Sequence, residues 1–310
     1  MEVAVDLKGI RKNYGKTVGI KPLDLSIHYG QIMGLIGPDG AGKTTLLRIM
    51  STVMRPDGGT ATVLGLNADT EYRKIRVRIG YMPGRFSLYQ DLSVLENITF
   101  YASVFGVELK EALRRVDDIY SQLAPYANRR AGALSGGMKQ KLALCCSLVH
   151  KPELLLLDEP TTGVDAVSRR EFWDVLSNLN KDGMTVVVST PYMDEASRCS
   201  YVSLIQDGRI MRSGTPGEIA QSHRGTILGI KSPNLYSALQ LLRSYPNADQ
   251  VQTFGESIHY TDKRKVMDPN DIKTWLEGQM TEPVAVEIIM PSIEDVFIQM
   301  MLERNDEKTA

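Results

Sequence analysis

Residues 31–54, QIMGLIGPDGAGKTTLLRIMSTVM, decide the fold. Gln31–Ile36 is a short apolar run that reads as a buried strand. From Lys43 to Met54 the apolar residues Leu46, Leu47, Met50, Val53 and Met54 recur at helical spacing. Between them Gly37-Pro38-Asp39-Gly40-Ala41-Gly42-Lys43-Thr44-Thr45 matches G-x-x-x-x-G-K-[ST] in its required strand-to-helix setting. The glycines let backbone N–H groups wrap an anion, and the helix N-terminus adds a favourable dipole. Nucleotide phosphates are therefore expected on Gly37, Pro38, Asp39, Gly40, Ala41, Gly42, Lys43, Thr44 and Thr45, with the Lys43 ammonium on the terminal phosphates and the Thr44 hydroxyl on Mg²⁺.

Such a loop needs a second strand ending in a carboxylate. Leu154-Leu155-Leu156-Leu157-Asp158-Glu159 supplies one: four leucines bury the strand, Asp158 is placed for the Mg²⁺ shell, and Glu159 is placed to polarise an attacking water. A third element, Leu134-Ser135-Gly136-Gly137-Met138-Lys139-Gln140, precedes a long apolar helix. Ser135 can cap that helix, and Gly136 and Gly137 expose backbone N–H groups to an anion. A second anion-ready helix start makes sense where it closes on the ATP of another subunit.

The rest of the chain fits around these motifs. At about 100–200 residues per domain, 310 residues suggest two domains. A content of 43% hydrophobic and 24% charged residues excludes disorder, collagen and a disulfide scaffold. The net charge of −1 gives no reason to expect nucleic acid as a partner. Cys145, Cys146 and Cys199 form no metal or disulfide pattern and suit a reducing compartment. No run approaches the 20 or so apolar residues of a membrane span, and the N-terminus alternates like a strand rather than reading as a signal peptide. A cytoplasmic location is expected, with any membrane role supplied by a partner.

Short strands at Thr185–Ser189 and Tyr201–Gln206, and an Asp207-Gly208 hairpin signal leading into Arg209–Ser213, complete a mostly parallel α/β core interrupted by a helical stretch over about 94–149. After residue 221 the pattern restarts. Ile227–Lys231, a helix at Asn234–Ser244, Gln250–Phe254, Ser257–Thr261, a helix at Pro269–Glu277 and Val284–Met290 give the order of a split βαβ unit. A helix over Ser292–Glu303 and a polar tail at 304–310 follow. The expected division is thus an ATP-binding domain at 1–221 and an accessory α+β domain at 222–303.

Taken together and in this order, the three motifs resemble those of the nucleotide-binding subunits of ABC transporters, over about residues 3–220. Gly37–Thr45 stands as the Walker A motif, Leu134–Gln140 as the signature and Leu154–Glu159 as the Walker B motif. The resemblance implies a P-loop NTPase core of ABC type, ATP and Mg²⁺ as ligands, Tyr14 stacked on adenine, and Asp165 of Gly163-Val164-Asp165 at a dimer contact. As a lone aromatic, Tyr14 also has an ordinary packing reading. Residues 75–101 and the C-terminal Pro291-Ser292-Ile293-Glu294-Asp295-Val296-Phe297 resemble the ATPase subunits of ABC-2 type multidrug exporters. That implies an ABC-2 type permease and a second ATP-binding subunit as partners, and a position on the inner face of the membrane.

Two residues depart from the family pattern. After Gly80-Tyr81-Met82-Pro83 the family has a glutamine that touches metal and attacking water; here stands Gly84, with Gln90 six residues on. After Val187-Val188-Ser189-Thr190 it has a histidine that contacts the γ-phosphate; here stands Pro191, and none of His28, His150, His223 or His259 is near in sequence. Removing one preorganised transition-state contact typically costs on the order of 10²–10³ in rate. ATP binding with slow hydrolysis at this chain's own Walker site is therefore expected, while its signature completes a stronger site on an unlike subunit. A homodimer in which Glu159 suffices, with Thr190 or Tyr192 partly filling the gap, and a regulatory or scaffold subunit with little turnover are the competing readings. A fused translation-type ATPase is disfavoured by the single domain and the exporter-like tail. Arg85–Asn97 falls where the family docks the permease, and Phe86, Leu88, Tyr89 and Leu92 are apolar in a segment expected to be exposed; packing on the insertion's own helices is the alternative.

Overall fold

The computed structural model describes residues 2–264 and 267–309, with side chains described through residue 303. The described chain divides into two compact units, Met1–Pro216 and Gly217–Ala310. The division falls five residues before the boundary expected from sequence.

The first unit opens with two long strands, β1 (Val3–Tyr14) and β2 (Thr17–His28), then β3 (Ile32–Ile36) and α1 (Lys43–Met50). There follow β4 (Gly58–Val63), β5 (Leu66–Asn67), α2 (Tyr72–Arg76) and β6 (Ile79–Met82). The helical stretch comprises α3 (Val94–Val104), α4 (Leu109–Arg115), α5 (Asp117–Tyr120) and α6 (Gly136–Leu148). The unit returns to strands with β7 (Leu154–Asp158), α7 (Ala166–Lys181), β8 (Thr185–Thr190), β9 (Tyr201–Gln206) and β10 (Arg209–Gly214).

Six strands form a sheet in the order β10-β9-β3-β8-β7-β6, parallel except for the hairpin partner β10. β3, β7 and β8 are buried along their whole length, as parallel strands covered on both faces must be. The sequence reading foresaw this sheet but not the antiparallel one beside it, β2-β1-β4-β5. One core spans both: Val5, Leu7, Ile10 and Ile27 pack in the same cluster as Leu46, Leu47, Leu156 and Val187. The fully buried Leu46, Leu47, Ile49 and Met50 of α1 stabilise this junction by about 1.5–3 kcal/mol each.

α1 is shorter than its apolar periodicity predicts. It stops at Met50, and Thr52 takes a left-handed φ of 61°. Local backbone bonds from Val53 and Met54 to the Arg48 carbonyl close the turn, and Arg76 steadies it, donating from Nε to the Thr52 hydroxyl at 2.9 Å and from Nη2 to its carbonyl at 2.8 Å. The sequence signals a turn only from Arg55-Pro56-Asp57-Gly58-Gly59 onward, so the stop at Met50 comes earlier than expected.

The second unit contains α8 (Pro216–Gln221), which begins at the division, then β11 (Ile227–Lys231), α9 (Leu235–Ser244), β12 (Ala248–Phe254), β13 (Ser257–Asp262), α10 (Pro269–Glu277), β14 (Ala285–Ile289) and α11 (Ile293–Thr309). Its sheet order is β12-β13-β11-β14, with every neighbouring pair antiparallel. β13 thus splits the parallel pair β11 and β12, the arrangement that the element order suggested. The expected tail at 304–310 instead continues α11 to Thr309; its side chains and residue 310 lie outside the described residues. Among the described residues, no helix is long and apolar enough to cross a membrane.

Candidate nucleotide site

The glycine-rich loop runs from the end of β3 into α1, and its backbone permits few other residues. A Cβ on Gly37 would lie 2.1 Å from the carbonyl oxygen of Ile205, and one on Gly42, at φ 107°, would lie 2.4 Å from Ile20 Cδ1. The Asp207-Gly208 turn braces the loop from outside, the Gly208 N–H donating to the Ala41 carbonyl at 3.0 Å. Pro38, Asp39 and Gly40 form the exposed crest.

Lys43 is 3% exposed, and its ammonium donates to the carbonyls of Gly37 at 2.7 Å and Pro38 at 3.0 Å. It also lies 3.4 Å from Glu159 Oε1. Thr44 Oγ1 donates to Asp158 Oδ1 at 2.9 Å. A hydroxyl and a carboxylate brought together are hard oxygen donors of the kind Mg²⁺ takes beside phosphate, so the residues present fit that ion. Next along α1, Thr45 shares a 2.9 Å hydrogen bond with the hydroxyl of Tyr14, whose ring remains half-exposed at the end of β1.

Glu159 follows β7 with a left-handed φ of 49°. Its N–H is held twice, by the carbonyl and by the hydroxyl of Ser189, each at 3.0 Å. Glu159 Oε2 accepts from the Thr162 hydroxyl at 3.4 Å. The carboxylate is thus turned back toward Lys43 by a backbone conformation that costs a non-glycine residue about 1–3 kcal/mol.

The signature residues sit elsewhere. Ser135 caps α6, accepting from Met138 N at 3.3 Å. The nearest neighbours of Gly136 and Gly137 are Gly163, Val164 and Ser168 rather than the glycine-rich loop. A Cβ on Gly137 would lie 2.6 Å from Ser168 Oγ, so this helix start approaches α7 as only glycine allows. Asp165 caps α7 by accepting from the N–H groups of Val167 and Ser168. The Ser168 bond holds its carboxyl below the usual range.

Both departures from the family pattern are geometrically real. A Cβ on Gly84 would lie 3.1 Å from the Asp158 carbonyl oxygen and 3.7 Å from its Cγ, so position 84 borders the acidic strand end without reaching it. Pro191 follows β8, and its two neighbours have partners of their own. The buried Thr190 hydroxyl accepts from Tyr192 N at 3.1 Å, and the Tyr192 ring lies under the Arg169 guanidinium at 4.4 Å. Arg169 also approaches Asp194 at 3.7 Å and the buried Glu195 at 3.9 Å, while Glu195 accepts from the Thr161 hydroxyl at 2.7 Å. Sequence reasoning missed this cluster, because its members are spread over α7, the segment after β8 and the loop after β7.

The segment after Gly84 corrects one expectation. Leu88 is buried rather than exposed, and Asn97, fully buried, clamps the segment by bonding the backbone of Tyr89, Leu92 and Ser93. Phe86 is half-buried beneath the Lys139 ammonium, and Tyr89 remains 51% exposed. Beside them lies a groove of about 320 Å³ lined by Tyr81, Met82, Phe86, Leu88, Tyr101 and Phe105 among others.

Comparison with known proteins decides the family. The ABC transporter family model matches residues 20–162. The Nod factor export ATP-binding protein I of Rhizobium sp. (strain N33) is 32% identical over 309 residues, covering 96% of this chain and 97% of that protein. The chain belongs to the ABC transporter ATP-binding proteins. A probable multidrug ABC transporter ATP-binding protein of Escherichia coli (strain K12), YbhF, is 37% identical over 307 residues. That match takes in 97% of this chain but spans only about half, 52%, of the Escherichia coli protein. Among solved structures, a dimeric ATP-binding cassette in a post-hydrolysis state with ADP and Pi superposes with a TM-score of 0.62 at 28% identity, covering 68% of this chain and 98% of that one. The cbiO1 subunit from Clostridium perfringens gives 0.65 at 25% identity, covering 72% and 92%.

Proposed function

We propose that this chain is an ATP-binding and ATP-hydrolysing subunit that powers an ABC-2 type membrane exporter, and that it is the weak-site member of a heterodimer. The observation that carries the reading is the contrast at one site. The loop, Lys43, Thr44, Asp158 and Glu159 are assembled, while positions 84 and 191 carry no side-chain donor or acceptor.

The backbone N–H groups of residues 37–45 and the Lys43 ammonium bind and orient the triphosphate, with Tyr14 offering its exposed ring to the base. Thr44 and Asp158 hold Mg²⁺, which when bound neutralises charge on the phosphates. Glu159 orients the attacking water and draws on its proton. Gly84 and Pro191 offer that water and the γ-phosphate nothing further, while the Thr190 hydroxyl accepts from Tyr192 N and the Tyr192 ring lies under Arg169. Ser135, Gly136 and Gly137, intact at the α6 start, close over the ATP of the partner subunit.

Export is supported by the names of the relatives, multidrug and Nod factor export ATP-binding proteins. The groove beside Phe86 and Tyr89 is the docking place for the permease on the inner face of the membrane. A regulatory subunit with little turnover is favoured by the same two positions, 84 and 191. Fluorescent ATP binding and phosphate release by the purified chain, with and without its permease and a second ATPase subunit, separate the readings. The exporter reading expects Mg²⁺-dependent ATP binding abolished by Lys43→Ala, and slow turnover that rises when the second subunit is added. A turnover rate indifferent to the second subunit refutes the heterodimer, and no phosphate release in any combination supports the regulatory reading.

A further inference from the structure

We infer that Ser189 is a positioning residue for the Asp158–Glu159 pair: its hydroxyl fixes the metal-facing carboxylate of Asp158 and the backbone of Glu159 at once. The inference rests on the ATPase reading above. The register of the central sheet places Asp158 of β7 directly opposite Ser189 of β8. Ser189 Oγ donates to Asp158 Oδ1 at 2.7 Å and accepts from the Glu159 N–H at 3.0 Å. Ser189 is fully buried, so no water competes for either bond.

Asp158 Oδ1 thereby accepts from two hydroxyls, Thr44 on one side and Ser189 on the other. Thr44 and Asp158 are both expected to turn toward the ion, which leaves Ser189 as the hydroxyl that keeps the carboxylate in place. Outer partners of metal-holding carboxylates commonly matter 10- to 100-fold in metal affinity or activity. Here the dependence is heightened, because glycine at 84 brings no side chain to the Asp158 flank that a Cβ would touch at 3.7 Å. The second bond serves Glu159, whose left-handed backbone is anchored through the same hydroxyl.

The test compares Ser189→Ala, Ser189→Thr and Ser189→Val. Threonine and valine are nearly isosteric and bring the same extra bulk into a packed strand, so they differ mainly in the hydroxyl. Two quantities are read: the Mg²⁺ concentration that half-saturates fluorescent ATP binding at fixed nucleotide, and kcat against KM for ATP. ATP binding in EDTA and thermal unfolding report the integrity of the fold. Expected is a 10-fold or larger rise in the Mg²⁺ midpoint and a comparable fall in kcat for Ser189→Ala and Ser189→Val, with KM for ATP within about threefold. Ser189→Thr is expected to stay within about threefold of the parent in both readouts. Valine matching threonine, or alanine leaving midpoint and kcat unchanged, overturns the inference. A parent chain that binds no ATP in Mg²⁺ or EDTA instead refutes the ATPase reading on which it stands.

Discussion

Replacing Pro191 with histidine tests whether a missing side chain limits hydrolysis at this chain's own site. Position 191 follows a fully buried strand end, Thr190, and precedes Tyr192, which is pinned under Arg169 at 4.4 Å, so the backbone on both sides is held independently of the proline ring. Losing the proline constraint costs about 0.4–1 kcal/mol of stability through the unfolded chain. A new donor to a charged phosphate oxygen is worth about 1.5–3 kcal/mol. If that is realised only in the transition state, it raises the rate by about 10- to 150-fold at 1.36 kcal/mol per tenfold. The gain should appear in kcat with little change in KM. The matching change, Gly84→Gln, should gain less, because its Cβ starts 3.1 Å from the Asp158 carbonyl and must displace backbone. The assay is single-turnover phosphate release at saturating protein, with thermal unfolding to confirm the fold. A folded Pro191→His variant with an unchanged rate refutes the reasoning that the missing histidine limits this site.

Other consequences are equally direct. Phe86→Glu or Tyr89→Glu should abolish export while leaving ATP affinity within about twofold, whereas Leu88→Glu, placing a charge at a buried position, should unfold the segment and lower the melting temperature. Nucleotide titrations and melting curves on the three variants check the contrast. Cys145, Cys146 and Cys199 have thiols pushed far up by burial, so alkylating reagents should label them only after denaturation, as read by mass spectrometry. In the second unit, burial pushes the Asp295 carboxyl up, but hydrogen bonds from His259 and Ser292 outweigh it and hold the carboxyl below its usual value. A depressed folded value means stability that is present above the unfolded pKa of about 3.9 and lost as pH falls through the folded one. Melting of the parent should therefore weaken below about pH 4, with a smaller acid dependence in Asp295→Asn.

What the sequence made legible follows the range of the forces involved. Pro269–Glu277 was read to the residue because Asp268 and Pro269 announce its start locally: the Asp268 side chain caps the helix. The Asp207-Gly208 turn was equally plain, although its second role, bonding Ala41 behind the glycine-rich loop, was not. The antiparallel sheet escaped notice because Val5 pairs with Val63, a contact with no local trace. α1 was extended four residues too far because Val53 and Met54 keep its period, while the chain turns at Thr52, held by Arg76.

The site divides the same way. Lys43, Thr44, Asp158 and Glu159 could be expected together from their motifs, and the structure brings Thr44 to Asp158 and Lys43 to Glu159. Ser189 was not, since a serine in an apolar strand acquires its role only from the register that sets it opposite Asp158. The contacts of Thr190 and Tyr192 likewise required the fold: the Thr190 hydroxyl accepts from Tyr192 N and the Tyr192 ring lies under Arg169, neither of which the sequence shows.

The most direct measurement is the turnover of the intact complex, purified from native membranes through a tag on this chain, with two single variants compared. On the proposed account, Glu159→Gln disables hydrolysis at this chain's own site, while Ser135→Arg, at the α6 start, disables the site it completes on its partner. A weak-site member of a heterodimer predicts that Glu159→Gln leaves most of the ATPase rate and Ser135→Arg removes at least 90% of it, on the order of the tenfold or greater cost of losing a transition-state contact. Equal loss from both variants would contradict the asymmetric site.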